Sequence, residues 1–98
     1  MKDVKITVVE MMEPKIFKEL ASETMTPQCT RVKIGQEFLS SSMNMPEGFC
    51  SWAWADIQRD VIHLATGGDF PWVKTKGKMV SSCTDGLRPV IFKLERIE

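Results

Sequence analysis

Neither sign of charge dominates this sequence. Its 98 residues include 13 lysines and arginines and 13 aspartates and glutamates, so the formal net charge is zero. Binding to duplex nucleic acid, and attraction to anionic membranes, both rely on clustered excess positive charge. The balance therefore argues against nucleic acid and against a membrane surface as partners.

Long apolar runs and targeting segments are also missing. No stretch approaches the roughly 20 apolar residues that a membrane-spanning helix needs. The N-terminus leads directly into an alternating pattern instead of an apolar signal segment, so we expect a cytoplasmic protein. A reducing compartment keeps thiols free. The three cysteines, which form no Cys-x-x-Cys pair, are therefore expected to be free thiols, ligands or catalytic groups.

Several motifs of common enzymes are absent. The sequence contains no Gly-x-Gly-x-x-Gly, no phosphate-binding P-loop, no Gly-x-Ser-x-Gly and no His-Glu-x-x-His. The only histidine, His63, is predicted to be an exposed polar residue. The composition, with 43% hydrophobic and 27% charged residues, is that of an ordinary globular protein. The length predicts a single domain over residues 1–98 with one modest core.

The spacing of the apolar residues predicts an α+β fold. Val4, Ile6 and Val8 alternate with polar residues, which is typical of a half-buried strand. The other elements predicted in the first half are a short helix from Pro14 to residue 21, a loop over 22–30, and a strand at 31–34 that resumes at 37–39 after a turn.

One long helix is predicted over residues 52–66, with Ser51 as its N-cap and Gly67 just beyond its end. Residues spaced three or four apart predict its buried stripe: Trp54, Ile57, Val61, Leu64 and Ala65.

Asp85-Gly86 predicts a two-residue turn between strands at 78–84 and 87–97. This pairing places Cys83 opposite Arg88, on the apolar face of the hairpin. The whole pattern predicts a mainly antiparallel sheet of four to five strands. One long and one short helix cover one face, and a C-terminal β-hairpin ends the chain.

The candidate reactive residue is Cys50, which directly precedes the predicted N-cap. The first unpaired amides of a helix carry partial positive charge, and this favours a thiolate beside them. The alternative is that Cys50 is a small apolar residue packing against Trp54.

The second candidate pair is Cys83 with Arg88. A guanidinium across the strand pair would stabilise a thiolate or hold an anionic ligand. The alternative is a surface ion pair between Arg88 and Asp85. Trp52 and Trp72 border loops, so they are the candidate walls of a pocket.

Cys29, Cys50 and Cys83 could also bind a metal ion together, with His63, a carboxylate or water as the fourth ligand. Thiolates suit zinc and iron. The separations along the chain are large, however, so only tertiary folding could assemble such a site.

Two segments carry a resemblance: PEGFCSWAWADI at 46–57 and CTDGLRPV at 83–90. With residues 32–38 and 67–72, they resemble a family of small prokaryotic proteins of about this length, frequent in anaerobic bacteria and archaea. The resemblance implies a shared thiol site at Cys29, Cys50 and Cys83, and it implies no reaction. This chain departs from the family pattern at Ser51, where proline is common. It also departs at Ser82, where a second cysteine is common, and this argues against a four-cysteine metal site.

Three functions follow as hypotheses. The first is a binding protein for a small anionic or thiophilic ligand, or for a metal ion, in a pocket containing cysteines. The second is a thiol-dependent enzyme or redox protein in which Cys50 is the nucleophile. The third is an interaction module that binds a protein or a second copy of itself through a sheet edge or exposed apolar loops.

Overall fold

A computed structural model describes residues 1–98. In chain order the elements are β1 (Val4–Met11), α1 (Ile16–Leu20), β2 (Glu37–Ser40), α2 (Ser51–Ala65), β3 (Lys78–Ser82) and β4 (Val90–Arg96). The four strands form one antiparallel sheet in the order β2-β1-β4-β3. The predicted α+β class, with one long helix, one short helix and a C-terminal hairpin, is confirmed.

The first and last strands of the chain pair at the centre of the sheet. Their inward side chains are almost completely buried and form one cluster with the apolar side of α2. The main members of this cluster are Val4, Ile6, Val8, Ile57, Val61, Leu64, Val90, Phe92 and Leu94. Full burial of such a side chain contributes about 1.5–3 kcal/mol, so this layer is the main source of stability.

A β-bulge at Val9 changes which residues of β1 face the core. Val8 pairs with Phe92 and Glu10 pairs with Ile91, so one step along β4 spans two steps along β1. Strict alternation would turn Glu10 inward, where an unpaired carboxylate is costly. The bulge leaves Glu10 exposed and packs Met11 against the core.

The hairpin has the predicted faces but a different register. Met79 pairs with Leu94 and Ser81 pairs with Phe92, and the Cys83 amide donates to the Val90 carbonyl at 3.1 Å. Each β3 residue thus pairs two positions further along β4 than predicted, and Cys83 lies opposite Val90. Because the shift is even, every side chain keeps its predicted face. Cys83 still points to the inner surface and packs against the core.

The predicted two-residue turn at Asp85-Gly86 is wrong. Neither residue adopts a positive φ, and the loop covers residues 84–89. The Asp85 carboxylate closes this wider loop by accepting the amides of Leu87 at 3.0 Å and Arg88 at 3.2 Å. Such side-chain-to-backbone bonds compete with tight turns.

The long helix begins and ends one residue earlier than predicted. Cys50, and not Ser51, is the N-cap, and no side chain caps the first amides. Trp54 of the predicted stripe is half-buried, whereas Ala53 and Asp60 join the buried side. Neither helix is long and apolar enough to cross a membrane.

The strand predicted at residues 31–34 is wrong. These residues form no strand, and only Val32 of this segment reaches the core. The predicted short helix is present as α1, but none of its residues is buried, so it does not cover the sheet as α2 does. A short apolar run does not determine which surface it packs against.

The segment between α2 and β3 (residues 66–77, here the strap) is held by Arg96 at the end of β4. Arg96 Nη1 donates to carbonyl oxygens in the last turn of α2, at 3.2 Å, and at Gly68, at 2.7 Å. Arg96 Nη2 donates to Asp69 Oδ1 at 3.0 Å, and the same oxygen accepts the Gly77 amide at 2.7 Å. One guanidinium therefore joins the helix end, the strap and the sheet.

The Asp69 network predicts a loss of stability in acid. The Gly77 amide and the Arg96 guanidinium lower the pKa of Asp69 against a smaller opposing effect of burial. A lowered folded-state pKa gives stability that is present at neutral pH and is lost as the pH falls below about 4. We expect Asp69→Asn to lose less stability over this range than the wild type, as measured by urea unfolding at pH 6 to 2.5. Glu23→Gln, which removes an exposed carboxylate, is the control. Parallel curves for Asp69→Asn and the wild type would contradict the prediction.

Gly68 predicts a second effect on stability. A Cβ atom at this position would lie 2.4 Å from the His63 ring, so the ring would have to leave its contacts. These are a hydrogen bond to the Asp69 carbonyl at 3.0 Å and packing on Phe70, with ring centroids 4.7 Å apart. Because the exposed His63 ring can turn away, and alanine reduces the entropy of the unfolded chain, we expect Gly68→Ala to lower the free energy of unfolding by less than about 1 kcal/mol.

A double-mutant cycle tests this cause. In a His63→Ala background the ring is absent, so Gly68→Ala should cost little or nothing. An equal cost in both backgrounds would show that the ring is not responsible.

Candidate functional site

The three cysteines meet at one cavity of about 350 Å³, here called the thiol cavity. It lies between the first turn of α2, the segment before β2 and the loop end of the hairpin. Its walls are formed by Cys29, Arg31, Val32, Cys50, Ser51, Trp52, Ala53, Cys83, Asp85, Arg88, Val90 and Phe92. Of the residues predicted for a site, the structure thus brings together Cys29, Cys50, Cys83, Arg88, Asp85 and Trp52.

The hairpin loop is fastened to α2 by Thr84. The Thr84 amide donates to Asp56 Oδ2 at 2.7 Å, and its hydroxyl lies 3.0–3.1 Å from both carboxylate oxygens. The same hydroxyl accepts Trp52 Nε1–H at 3.1 Å. Trp52 and Asp56 are four positions apart and so lie on one side of the helix. This arrangement fixes the wall that carries Cys83 and orients the exposed indole of Trp52 at the cavity mouth.

Arg88 joins the hairpin loop to the segment 26–28 on another side of the cavity. Its Nη1 donates to the Thr26 hydroxyl at 3.1 Å, and it reaches the carbonyl oxygens of Thr26 and Gln28 at 3.5 and 3.4 Å. Its Nε is buried and has no hydrogen-bond acceptor in the protein. An arginine side chain cannot lose its charge in a protein, so this donor is permanent. Arg88 is therefore both a structural residue and a permanent positive charge in the cavity lining.

Asp85 lines the cavity without neutralising Arg88. Its carboxylate accepts two amides of its own loop, at Leu87 and at Arg88, and the Arg88 guanidinium bonds to the 26–28 segment instead. The surface ion pair considered from the sequence does not form. With Arg31 and Arg88 against Asp85, the charged residues of the wall sum to one positive charge.

The three thiols have different surroundings. Cys83 Sγ accepts the Val90 amide at 3.3 Å, and Cys29 Sγ accepts the Arg31 amide at 3.5 Å. Cys50 makes no side-chain hydrogen bond to the first amides of α2. All three are free, half-buried and packed against the edge of the core. We expected backbone amides to donate to the Cys50 sulfur, but the sulfurs that accept an amide are those of Cys83 and Cys29.

Trp72 lies elsewhere, and its predicted place beside the cavity is wrong. It packs on Phe70 with ring centroids 5.4 Å apart, and Phe70 packs on His63 in the last turn of α2. His63 is 13 positions beyond Cys50, which corresponds to about 20 Å along a helix axis. The strap therefore holds Trp72 at the opposite end of α2, where its side chain is 73% exposed.

The prediction of a metal site formed by Cys29, Cys50 and Cys83 is also wrong. No group of three histidine, cysteine, aspartate or glutamate side chains in the structure could hold a metal ion. The cysteines occupy three different walls, and two of the sulfurs are directed at backbone amides. His63, one of the fourth ligands considered beside a carboxylate or water, lies near the far end of the helix.

Sequence reasoning missed several residues that build this site. Asp56 and Thr84 attach the loop to the helix, Thr26 and Gln28 accept Arg88, and Arg31 adds a second guanidinium. Only Asp56 gave a local signal, because it stands one helical turn after Trp52. Thr26 and Gln28 are 62 and 60 positions from Arg88, and Thr84 is 28 positions from Asp56, so only folding brings these partners together.

The chain was compared with protein-family models, with curated proteins and with solved structures. No family model matches it. Neither the curated proteins nor the solved structures gave a significant match. The resemblance of the segments at 46–57 and 83–90 to a family of small prokaryotic proteins stays a prediction, and the chemistry of the thiol cavity is the basis for any function.

Proposed function

We propose that this protein binds a small anionic, thiol-reactive molecule in the thiol cavity. The observation that carries the proposal is the Arg88 guanidinium, a permanent positive charge that lines the same cavity as three free thiols. An anionic oxygen of a ligand in this cavity would gain a charge-assisted interaction with the guanidinium.

The size of the cavity limits the ligand. A volume of about 350 Å³ is at the lower end of the range for small-molecule sites, about 300–1,000 Å³. It corresponds to the space of about a dozen water molecules at roughly 30 Å³ each. The part of the ligand that enters the cavity is therefore the size of a small metabolite. Its setting would be the reducing cytoplasm, where free thiols persist.

Binding is favoured over catalysis by what surrounds the thiols. The single histidine lies about 20 Å from Cys50 along the helix, so it is not in reach as a general base. The charged groups of the wall are two guanidiniums and one carboxylate that is already hydrogen-bonded to its own loop. These groups attract and orient an anion, and they do not supply a proton acceptor for turnover.

Alkylation by a matched pair of reagents tests the proposal. Iodoacetate and iodoacetamide carry the same reactive carbon, but only iodoacetate has a carboxylate. We expect the alkylation rate with iodoacetate to saturate as its concentration rises, because a bound complex precedes the reaction. The iodoacetate-to-iodoacetamide rate ratio should be roughly 10 to 150 times that of a free cysteine, since a hydrogen bond to a charged group contributes about 1.5–3 kcal/mol.

Variants at Arg88 identify the cause. Arg88→Gln should bring the rate ratio back to that of a free cysteine, whereas Arg88→Lys should retain part of the preference because it keeps the charge. Lys74→Gln removes an exposed positive charge on the strap and should keep the wild-type ratio. A wild-type rate that stays strictly proportional to iodoacetate concentration, with no preference for the anion, would contradict the proposed function.

A further inference from the structure

We infer that Cys83 is the reactive thiol of the cavity, and that its ligand class is a small disulfide bearing a carboxylate, with which Cys83 forms a mixed disulfide. This inference rests on the proposed function, since it uses the same cavity and the same arginine. It adds the sulfur that reacts and the functional group with which it reacts.

The position of the Cys83 sulfur is fixed by the backbone. The Cys83 amide donates to the Val90 carbonyl at 3.1 Å, and the Val90 amide lies 3.3 Å from Cys83 Sγ. The next residue, Thr84, is held to α2 by Asp56 and Trp52. A sulfur with an amide donor and a fixed backbone is preorganised, because negative charge on sulfur is stabilised by an N–H already in place.

The two other thiols lack this combination. Cys29 Sγ accepts an amide only at 3.5 Å, and the donor belongs to a segment without regular structure. Cys50 is the N-cap of α2, but its side chain receives no hydrogen bond from the helix. The cysteine that the sequence favoured is thus the one of the three whose sulfur receives no backbone amide.

Arg88 supplies the recognition of the carboxylate. It follows Cys83 in the same loop, both residues line the thiol cavity, and its guanidinium is a permanent positive charge. A ligand with a carboxylate close to a sulfur–sulfur bond would bind Arg88 with one end and present a sulfur to Cys83 with the other. A small disulfide of a carboxylated thiol has both groups within the size of the cavity.

The reaction is a thiol–disulfide exchange. The Cys83 thiol gives its proton to solvent, and the thiolate attacks one sulfur of the ligand R–S–S–R. The Cys83 Sγ–S bond forms as the ligand sulfur–sulfur bond breaks, and the second half leaves as the thiolate RS⁻. Cys83 is oxidised and the departing half is reduced, so the disulfide itself is the only oxidant. A later thiol can reverse the step by attacking the mixed disulfide.

Two matched disulfides test the inference on the intact chain. Dithiodiglycolate carries a carboxylate on each half, and bis(hydroxyethyl) disulfide is its neutral counterpart. After brief exposure, peptide mapping by mass spectrometry identifies which cysteine carries the adduct. We expect dithiodiglycolate to modify Cys83 about ten times faster than Cys50 or Cys29, and about ten times faster than the neutral disulfide modifies Cys83.

The variants separate charge from access. Cys83→Ser should abolish the fast phase. Arg88→Gln should bring the ratio of the dithiodiglycolate rate to the bis(hydroxyethyl) disulfide rate down to that of a free cysteine, whatever it does to access for both reagents, whereas Lys74→Gln should keep the wild-type ratio. If Cys83→Ser does not fold, the wild-type mapping still decides the outcome, because it needs no variant.

Two failures have different meanings. If iodoacetate binds saturably through Arg88 but the first disulfide adduct forms on Cys50 or Cys29, this inference is overturned and the proposed function stands. If neither iodoacetate nor dithiodiglycolate is preferred over its neutral counterpart, both are overturned. Equal rates of dithiodiglycolate at all three cysteines also overturn the inference.

Discussion

The structure depends on the pairing of the first strand with the last. β1 and β4 lie side by side at the centre of the sheet, and their inward residues form the floor on which α2 packs. Burial of this layer is the main favourable free energy available to a chain of this size. Once α2 lies across these strands, its first turn must face the hairpin loop and its last turn must face the end of β4. The positions of both functional and structural polar groups follow from that.

A polar network with one arginine joins each end of α2 to the sheet. The two arginines, Arg96 and Arg88, differ in how many of their guanidinium nitrogens donate hydrogen bonds within the protein. At the C-terminal end, every nitrogen of Arg96 donates within the protein, to the helix end, to the strap carboxylate and to Glu98. At the N-terminal end, Arg88 uses Nη1 on the 26–28 segment, but its buried Nε has no protein acceptor. A fully satisfied network stabilises one conformation. The network at the other end is incompletely satisfied and lies beside three thiols, and this is why the proposed function is placed at that end of the helix only.

The sequence predicted much of this arrangement, and its failures have physical causes. The alternation in β1, the stripe on α2 and the apolar face of the hairpin were readable because secondary structure imposes periods of 2 and 3.6 residues. The hairpin register was wrong by two residues, since a carboxylate at Asp85 closes a wide loop where the dipeptide suggested a tight turn. The error moved no side chain to another face, so the inward position of Cys83 was predicted correctly. Trp72 was misplaced because a loop aromatic has no periodicity, and its position is set by Phe70 and the strap.

By itself, the sequence determined the class of fold, the core faces of β1, α2 and the hairpin, and the identity of the charged and thiol residues, because these follow from local spacing. The tertiary structure decided which of those residues meet. Arg88 reaches acceptors 60 and 62 positions away, and Thr84 reaches Asp56 across 28 positions. It also decided that Cys83, and not Cys50, has an amide donor at its sulfur. Contacts over such separations depend on how α2 lies on the sheet, and no local pattern in the chain contains that geometry.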